Sequence, residues 1–221
     1  SSQMNIFRLI GDMLHLLAIL ILLTKMIRDR TAAGISLKTQ FLYALVFTTR
    51  YTDLFTTWVS LYNTLMKIIY LCTSYHICFL MQYRFPWNTT YDKGNDSFGI
   101  KYLIGACFVL ALFFHRHVRR EWQEILWTFS EYLETIAILP QIYLLENTDR
   151  YEALTSHYIF ALGAYRLFYV FNWIYRYFAQ GYVSKVSWVA GGIQTALYCD
   201  FFYQYMTQVY HRARQMNLGS M

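Results

Sequence analysis

Long apolar runs separated by short polar turns dominate this chain. Seven can be marked, over residues 6–27, 39–58, 66–83, 102–114, 122–145, 154–178 and 185–209. Most approach or exceed the roughly 20 residues that a helix needs to cross a bilayer, and the fourth is shorter. The longest connection, residues 84–101, gathers Pro86, Asn88, Asp92, Gly94 and Asn95, the residue types that make turns. The pattern predicts an all-α membrane protein. Its seven transmembrane helices form one domain over residues 1–221, closing on a short tail, residues 210–221.

Polar positions recur inside these runs in helical register. Arg8, Asp12 and His15 are spaced four then three; Arg50, Asp53 and Thr57 three then four; Glu124, Trp127, Glu131 and Glu134 three, four, three. Tyr165, Tyr169, Asn172 and Arg176 follow the same rhythm with Arg166 beside them, and Lys67 and Asp200 add single charges. On a helix each set shares one face, so Arg50 and Asp53 are expected to be facial neighbours. Charges near helix ends, such as Arg8, Lys67, Glu124 and Arg176, can snorkel to the interface. Snorkelling does not account for mid-span Arg50, Asp53 and Glu134, so the stripes are expected to face inward around one polar cavity. A planar guanidinium such as that of Arg50 suits a carboxylate, to which it donates two parallel bonds. Trp127 and Trp173 read either as interface aromatics or as platforms for a ligand cation. His15 reads either as a packed core histidine or as a group that titrates between about pH 5 and 8.

Composition agrees with the pattern. The chain is 57% apolar and only 14% charged, against roughly 45–50% and ~25% in soluble proteins. Its mean hydropathy of +0.25 is modest because 21 tyrosines count as polar, although their rings suit interfaces and packed interiors. Cys72, Cys78, Cys107 and Cys199 show no paired spacing and read as free thiols. The net charge of +6 is scattered rather than striped, so no nucleic-acid partner is expected. No hydrolase, zincin or nucleotide motif appears, and Glu124 and Glu134 lie about 15 Å apart along one helix, too far to work as a pair. No enzyme activity, cofactor or metal is therefore expected; membrane lipid is the surrounding partner. Asp12 and His15 interrupt the first run, so it is not expected to be a cleaved signal peptide.

Lysine and arginine set the orientation. Arg28, Arg30, Lys38, Arg84, Lys93, Lys101, Arg150, Arg212 and Arg214 fall on one side of the seven runs, and Arg116, Arg119, Arg120 and Lys185 on the other. The first side, with the C-terminus, is expected to be cytosolic. The sequons at Asn88 and Asn95 would then stay unglycosylated.

The residues in these stripes resemble the KDEL receptor family, the receptors that retain proteins of the endoplasmic reticulum lumen. The strings that carry the resemblance are Met4-Asn5-Ile6-Phe7-Arg8 with Asp12 and His15, Ala44-Leu45-Val46-Phe47-Thr48-Thr49-Arg50-Tyr51, and Val59-Ser60-Leu61-Tyr62-Asn63. Ile125 to Ser130, Ala137-Ile138-Leu139-Pro140-Gln141, Tyr165-Arg166, Asn172-Trp173-Ile174 and Tyr198 to Tyr203 continue it, whereas residues 82–123 match little. The resemblance implies a PQ-loop or SWEET-like fold, two three-helix repeats joined by a linker helix. It implies a ligand, the C-terminal Lys-Asp-Glu-Leu (KDEL) or His-Asp-Glu-Leu (HDEL) of luminal proteins, bound at acidic pH in the Golgi and returned to the endoplasmic reticulum in retrograde vesicles. Arg50 and Tyr51 would grip its terminal carboxylate, Arg8 and Arg176 its acidic side chains, and Asp53, Glu124 and Trp127 its amine. Thr57, Tyr165, Arg166, Tyr169, Asn172 and Trp173 would complete the pocket. His15 would act as the pH switch through Tyr165 and Glu134, and Asp200 would serve recycling. The resemblance also implies a COPI coat signal in the cytosolic tail. Family tails carry clustered lysines, but this one offers only His211, Arg212 and Arg214. The alternative on the same scaffold is a small-solute or proton-coupled transporter.

Overall fold

A computed structural model describes residues 5–117, 119–149, 156–181 and 183–219. Met4, Arg150, residues 154–155 of the sixth run and residues 220–221 of the tail lie outside them. Most of the described residues are helical, and none of them is in a strand. In chain order the helices are α1 (Ile6–Asp29), α2 (Leu37–Arg50), α3 (Leu61–Tyr83), α4 (Trp87–Thr90), α5 (Ile100–Phe113), α6 (Glu121–Ile136), α7 (Leu139–Thr148), α8 (Ser156–Gln180) and α9 (Lys185–Gly219). Asn5, Ser36 and Ser60 cap α1, α2 and α3, each side-chain oxygen accepting a backbone N–H three residues on. α1 packs along α8, α2 lies between α3 and α6, and α6 also touches α5 and α9. One apolar core joins α1, α3, α7, α8 and α9 around Leu22, Ile77, Leu145, Leu162 and Phe201. A second joins α2, α3, α5 and α6 around Phe47, Tyr70, Cys107 and Leu133.

α1 and α3 are long and apolar enough to cross a membrane, and α5 is apolar but shorter. Leu17, Phe113, Phe160 and Val189 stand exposed on the outside of the bundle. A surface of that kind suits hydrocarbon rather than water.

Three of the marked runs fold differently from the pattern. The second was expected to continue to residue 58, but α2 stops at Arg50. The Tyr51 N–H closes the last turn on Phe47 O at 3.0 Å, and residues 51–56 coil into turns, with Thr57 N bonded to Asp53 O at 2.9 Å. Thr48, Thr49, Thr52, Thr56 and Thr57 crowd this stretch; β-branched residues with hydroxyls that compete for backbone groups weaken a helix. Arg50 and Asp53 therefore do not share a helix face. The fifth run divides into α6 and α7 because Pro140 has no N–H to bond Ile136 and its ring would meet that carbonyl. The seventh does not stop at Val209: no proline or glycine interrupts residues 193–218, and α9 carries the tail on to Gly219.

The end of the bundle where α1 and α3 finish is closed by side chains rather than by helix packing. Gln141, directly after the proline, accepts from Ser36 N at 2.9 Å and donates to Gly34 O at 2.9 Å, and its own N–H bonds Thr39 Oγ1 at 3.0 Å. Gly34 turns there at φ 78°, a conformation that favours glycine. From the 84–101 connection, buried Asp96 accepts from Ser36 Oγ at 2.8 Å, from Lys38 N at 3.2 Å and from the Tyr91 hydroxyl. Burial, reinforced by that bond, raises the Tyr91 phenol above its usual range, so it stays a donor. Asp96→Ala would orphan these donors and is expected to cost about 2–3 kcal/mol. Thermal unfolding in detergent measures it, with exposed Lys93→Ala as the comparison; equal midpoints for the two variants would show that the cluster holds nothing together.

Candidate ligand cavity

At the opposite end the helices part around a cavity of about 590 Å³. The first turns of α1, α3 and α9, the end of α2, the middle of α6 and the second half of α8 form its wall. Its charged lining consists of Arg8, Arg50, Lys67, Arg166 and Arg176 against Asp12, Asp53, Glu131 and Glu134. Tyr51, Trp127, Tyr169, Asn172 and Trp173 line it too. The ring of Trp173 fills the space that a Cβ on Gly191 would occupy, 2.0 Å from it, so only glycine lets the indole lie flat against α9.

Each carboxylate in the wall is met by a donor. Arg50, at the C-terminal end of α2, reaches Glu134 Oε2 at 2.5 Å and Glu131 Oε1 at 3.2 Å, and its Nε donates to Ser130 Oγ at 3.1 Å. Its three partners share the face of α6 that turns to the cavity. Asp53 pairs with Lys67 at 3.0 and 3.1 Å, across from the turn where α2 ends. Asp12 accepts the hydroxyls of Tyr169 and, at 3.5 Å, of Tyr62, while Tyr70 donates to its backbone carbonyl at 2.5 Å. Asn5 donates to Asn172 at 2.6 Å, tying the first residues of α1 to α8.

Arg166 is different. It is 6% exposed, and its Nε and one terminal nitrogen have no hydrogen-bond partner. Its guanidinium lies over the rings of Trp173, Tyr165 and Tyr169 at 5.4, 5.7 and 5.9 Å. The aromatic faces hold the cation without satisfying its N–H groups. Gln194 Nε2, also in the wall, is buried and equally unpartnered. Unmet buried donors facing a cavity are what an acceptor ligand would engage.

Of the residues expected to bind ligand, Arg8, Arg50, Tyr51, Asp53, Trp127, Arg166, Tyr169, Asn172, Trp173 and Arg176 come together in this wall. Thr57 and Glu124 do not: Thr57 is exposed on the turn beyond α2, and half-buried Glu124 lies one turn before Trp127, outside the lining. Tyr165 sits fully buried behind the wall. There His15 stacks on it, with ring centroids 4.1 Å apart and planes 5° from parallel, and Phe47 and Tyr70 flank the imidazole. Glu134 belongs to the wall through Arg50. Asp200 is exposed on α9 and accepts from Gln204 at 3.1 Å, away from the cavity. His211, Arg212 and Arg214 are exposed on the last turns of α9, where Arg212 donates to Asp149 O. The residues given no ligand or switch role beforehand are Glu131, Ser130, Tyr62, Tyr70 and Gln194. Glu131 was legible, since it stands in the three-four-three stripe of α6; nothing distinguishes Tyr62 or Tyr70 among 21 tyrosines.

Residues 31–176 match the family described as ER lumen protein retaining receptor. The chain is 50% identical over 215 residues to the ER lumen protein-retaining receptor erd-2.2 of Caenorhabditis elegans, covering 97% of this chain and 99% of that one. It is 50% identical over 206 residues to ER lumen protein-retaining receptor 2 of Homo sapiens, and equally to the ER lumen protein-retaining receptor of Drosophila melanogaster, each covering 93% of this chain and 95% of the relative. These are receptors, not enzymes. With matches of that length and identity, the chain belongs to the ER lumen protein-retaining receptor family.

Proposed function

We propose that the chain is a pH-dependent receptor for the C-terminal KDEL or HDEL sequence of luminal proteins. It takes that signal in the Golgi and returns it to the endoplasmic reticulum. The observation that carries this reading is the charge of the cavity, whose lining has five cations against four carboxylates, with the buried donors of Arg166 unmet. A KDEL terminus brings three carboxylates and one amine, so it supplies acceptors where the wall has donors to spare. Arg50 with Tyr51 takes the terminal carboxylate after leaving Glu131 and Glu134. Arg8 and Arg176, with Arg166, take the acidic side chains, and Asp53 and Trp127 receive the amine. Glu124 would join them if ligand drew α6 inward. No feature of the described cavity favours a transporter of neutral solutes.

The seven-span reading counts α1, α2, α3, α5, α6 with α7, α8 and α9 as the spans. The repeats are α1–α3 and α6–α9, joined by α5. The cavity then opens to the lumen. Arg28, Arg30, Lys38, Arg84, Lys93 and Lys101, all at the other end, face the cytosol, as does the end of α9. Coat binding would fall to His211, Arg212 and Arg214, with Asp200 acting in recycling. The switch is His15: a proton on an imidazole stacked against Tyr165 places a charge behind the wall, and the arrangement that brings Glu134 toward it releases Arg50 for the ligand.

Peptide ending in KDEL is expected to bind tightly at pH ~5.5 and weakly at pH ~7.4, and His15→Ala to flatten that difference; a pH dependence that survives the substitution removes His15 as the switch. Arg50→Ala is expected to weaken binding at the acidic pH by roughly 30-fold or more, as loss of a buried carboxylate grip does. Arg166→Met should bind peptide poorly yet be more stable without it, by about 1–3 kcal/mol, because buried N–H donors without acceptors have gone. Thermal unfolding without peptide tests this, and a destabilised variant would mean that Arg166 already has its partners in the empty receptor.

A further inference from the structure

The connection between α5 and α6, of which residues 114–117 and 119–120 are described, has no part in the peptide reading, yet it assembles a donor set. Glu121 Oε1, in the first turn of α6, lies 3.0 Å from His115 Nε2 and 3.0 Å from His117 Nδ1. The three candidate ligand atoms fall within 4.8 Å of one another. Two imidazoles and a carboxylate are a donor set for zinc and similar divalent ions. Ligand atoms on an ion with bonds of about 2.0–2.1 Å stand roughly 2.9–3.4 Å apart, depending on geometry.

A second feature concerns which nitrogen is free. His115 Nδ1 is 2.9 Å from Ala111 O, which can only accept, so Nδ1 carries the hydrogen. In the neutral ring Nε2 is then left with a bare lone pair, directed at a carboxylate that also can only accept. Two acceptors would face each other at 3.0 Å with a second imidazole on the same oxygen, an arrangement resolved either by a proton on Nε2 or by a metal ion shared by the three groups. A ring N–H given to a backbone carbonyl is also the outer-sphere support that metal-binding histidines usually have. The side chain of His115 is 5% exposed, whereas His117 and Glu121 are 83% and 54% exposed. One ligand is thus fixed in the protein and two can close on an ion from solvent.

We infer that His115, His117 and Glu121 form a binding site for a divalent metal ion of the zinc class, with its remaining coordination open to water. Such an ion would join the end of α5 to the first turn of α6; further along α6, Tyr132 already donates to Phe114 O at 3.0 Å. α6 is the helix that holds Arg50 through Ser130, Glu131 and Glu134. Arg116, Arg119 and Arg120 flank the site and are exposed, so solvent ions screen their repulsion. With three protein ligands and these neighbours, the affinity falls short of that of a closed four-ligand site.

The test uses the full chain, purified in detergent without a histidine tag and titrated with Zn²⁺ by calorimetry and with Co²⁺ by visible absorption. One ion per chain is expected, with a Zn²⁺-dependent rise in the unfolding midpoint. His117→Ala and Glu121→Gln should each weaken binding by about tenfold or more, while His76→Ala and His211→Ala should not. His117 is exposed on a turn, so its variant keeps the fold and isolates the ligand. Absence of stoichiometric Zn²⁺ binding, or binding untouched by His117→Ala and Glu121→Gln, would overturn the site.

Discussion

Arg50 cannot lie unpaired among apolar helices, and the way its charge is met organises the cavity. The guanidinium stands at the C-terminal end of α2, where the helix dipole favours a cation. It is shared by two carboxylates and a hydroxyl from consecutive turns of α6. That arrangement joins two helices from different halves of the chain by an ion pair rather than by apolar contact alone. On the proposed reading it would also make ligand binding an exchange: a peptide carboxylate that reached Arg50 would replace Glu131 and Glu134 rather than add to them. An exchange of like partners has a small net free energy, and small terms such as one proton can tip it.

The two interruptions in the helices produce the two ends of the molecule. Where α2 stops at Arg50, Asp53 swings onto a turn and finds Lys67 on α3, so two ion pairs hold the open end instead of one internal pair. Where Pro140 divides α6 from α7, Gln141 is freed to bond the α1–α2 link, and Asp96 reaches the same serine from the 84–101 connection. The open end is therefore rich in exchangeable charge pairs. The closed end is built mostly from neutral bonds in which one partner is a backbone group, with Asp96 its one charge among them.

Much of this was legible along the chain, and the exceptions share a cause. The stripes on α1, α6 and α8 placed Arg8, Trp127, Glu134, Tyr169, Asn172 and Arg176 in one cavity because spacing of three and four fixes a face. The same logic failed for Arg50 and Asp53, since spacing says nothing about where a helix ends. A threonine-rich stretch was the one local sign that α2 would stop early. Tyr165 and His15 lie in the right stripes but behind the wall, because a stripe is wider than the line of residues that reaches the cavity. The partner of each charge was not legible at all: Asp53 meets Lys67 and Arg50 meets Glu131 only once three-dimensional packing has chosen among several carboxylates.

Arg166 departs from the rule that buried donors are paired, and the departure has a physical use. Aromatic faces from Tyr165, Tyr169 and Trp173 offset part of the cost of burying its charge, but they accept no hydrogen bond in the plane of the guanidinium. The empty cavity therefore holds buried donors that a neutral side chain would not, in a wall whose carboxylates are all met. Sites that depart from local consistency in this way are usually functional ones. A carboxylate entering beside Trp173 would complete bonds that nothing else in the wall can complete. It gains the full difference between an unmet and a met buried donor, whereas at Arg50 it gains only the difference between two partners. On the proposed peptide reading the two arginines would divide the work: Arg166 would favour occupancy, and Arg50 would make that occupancy reversible.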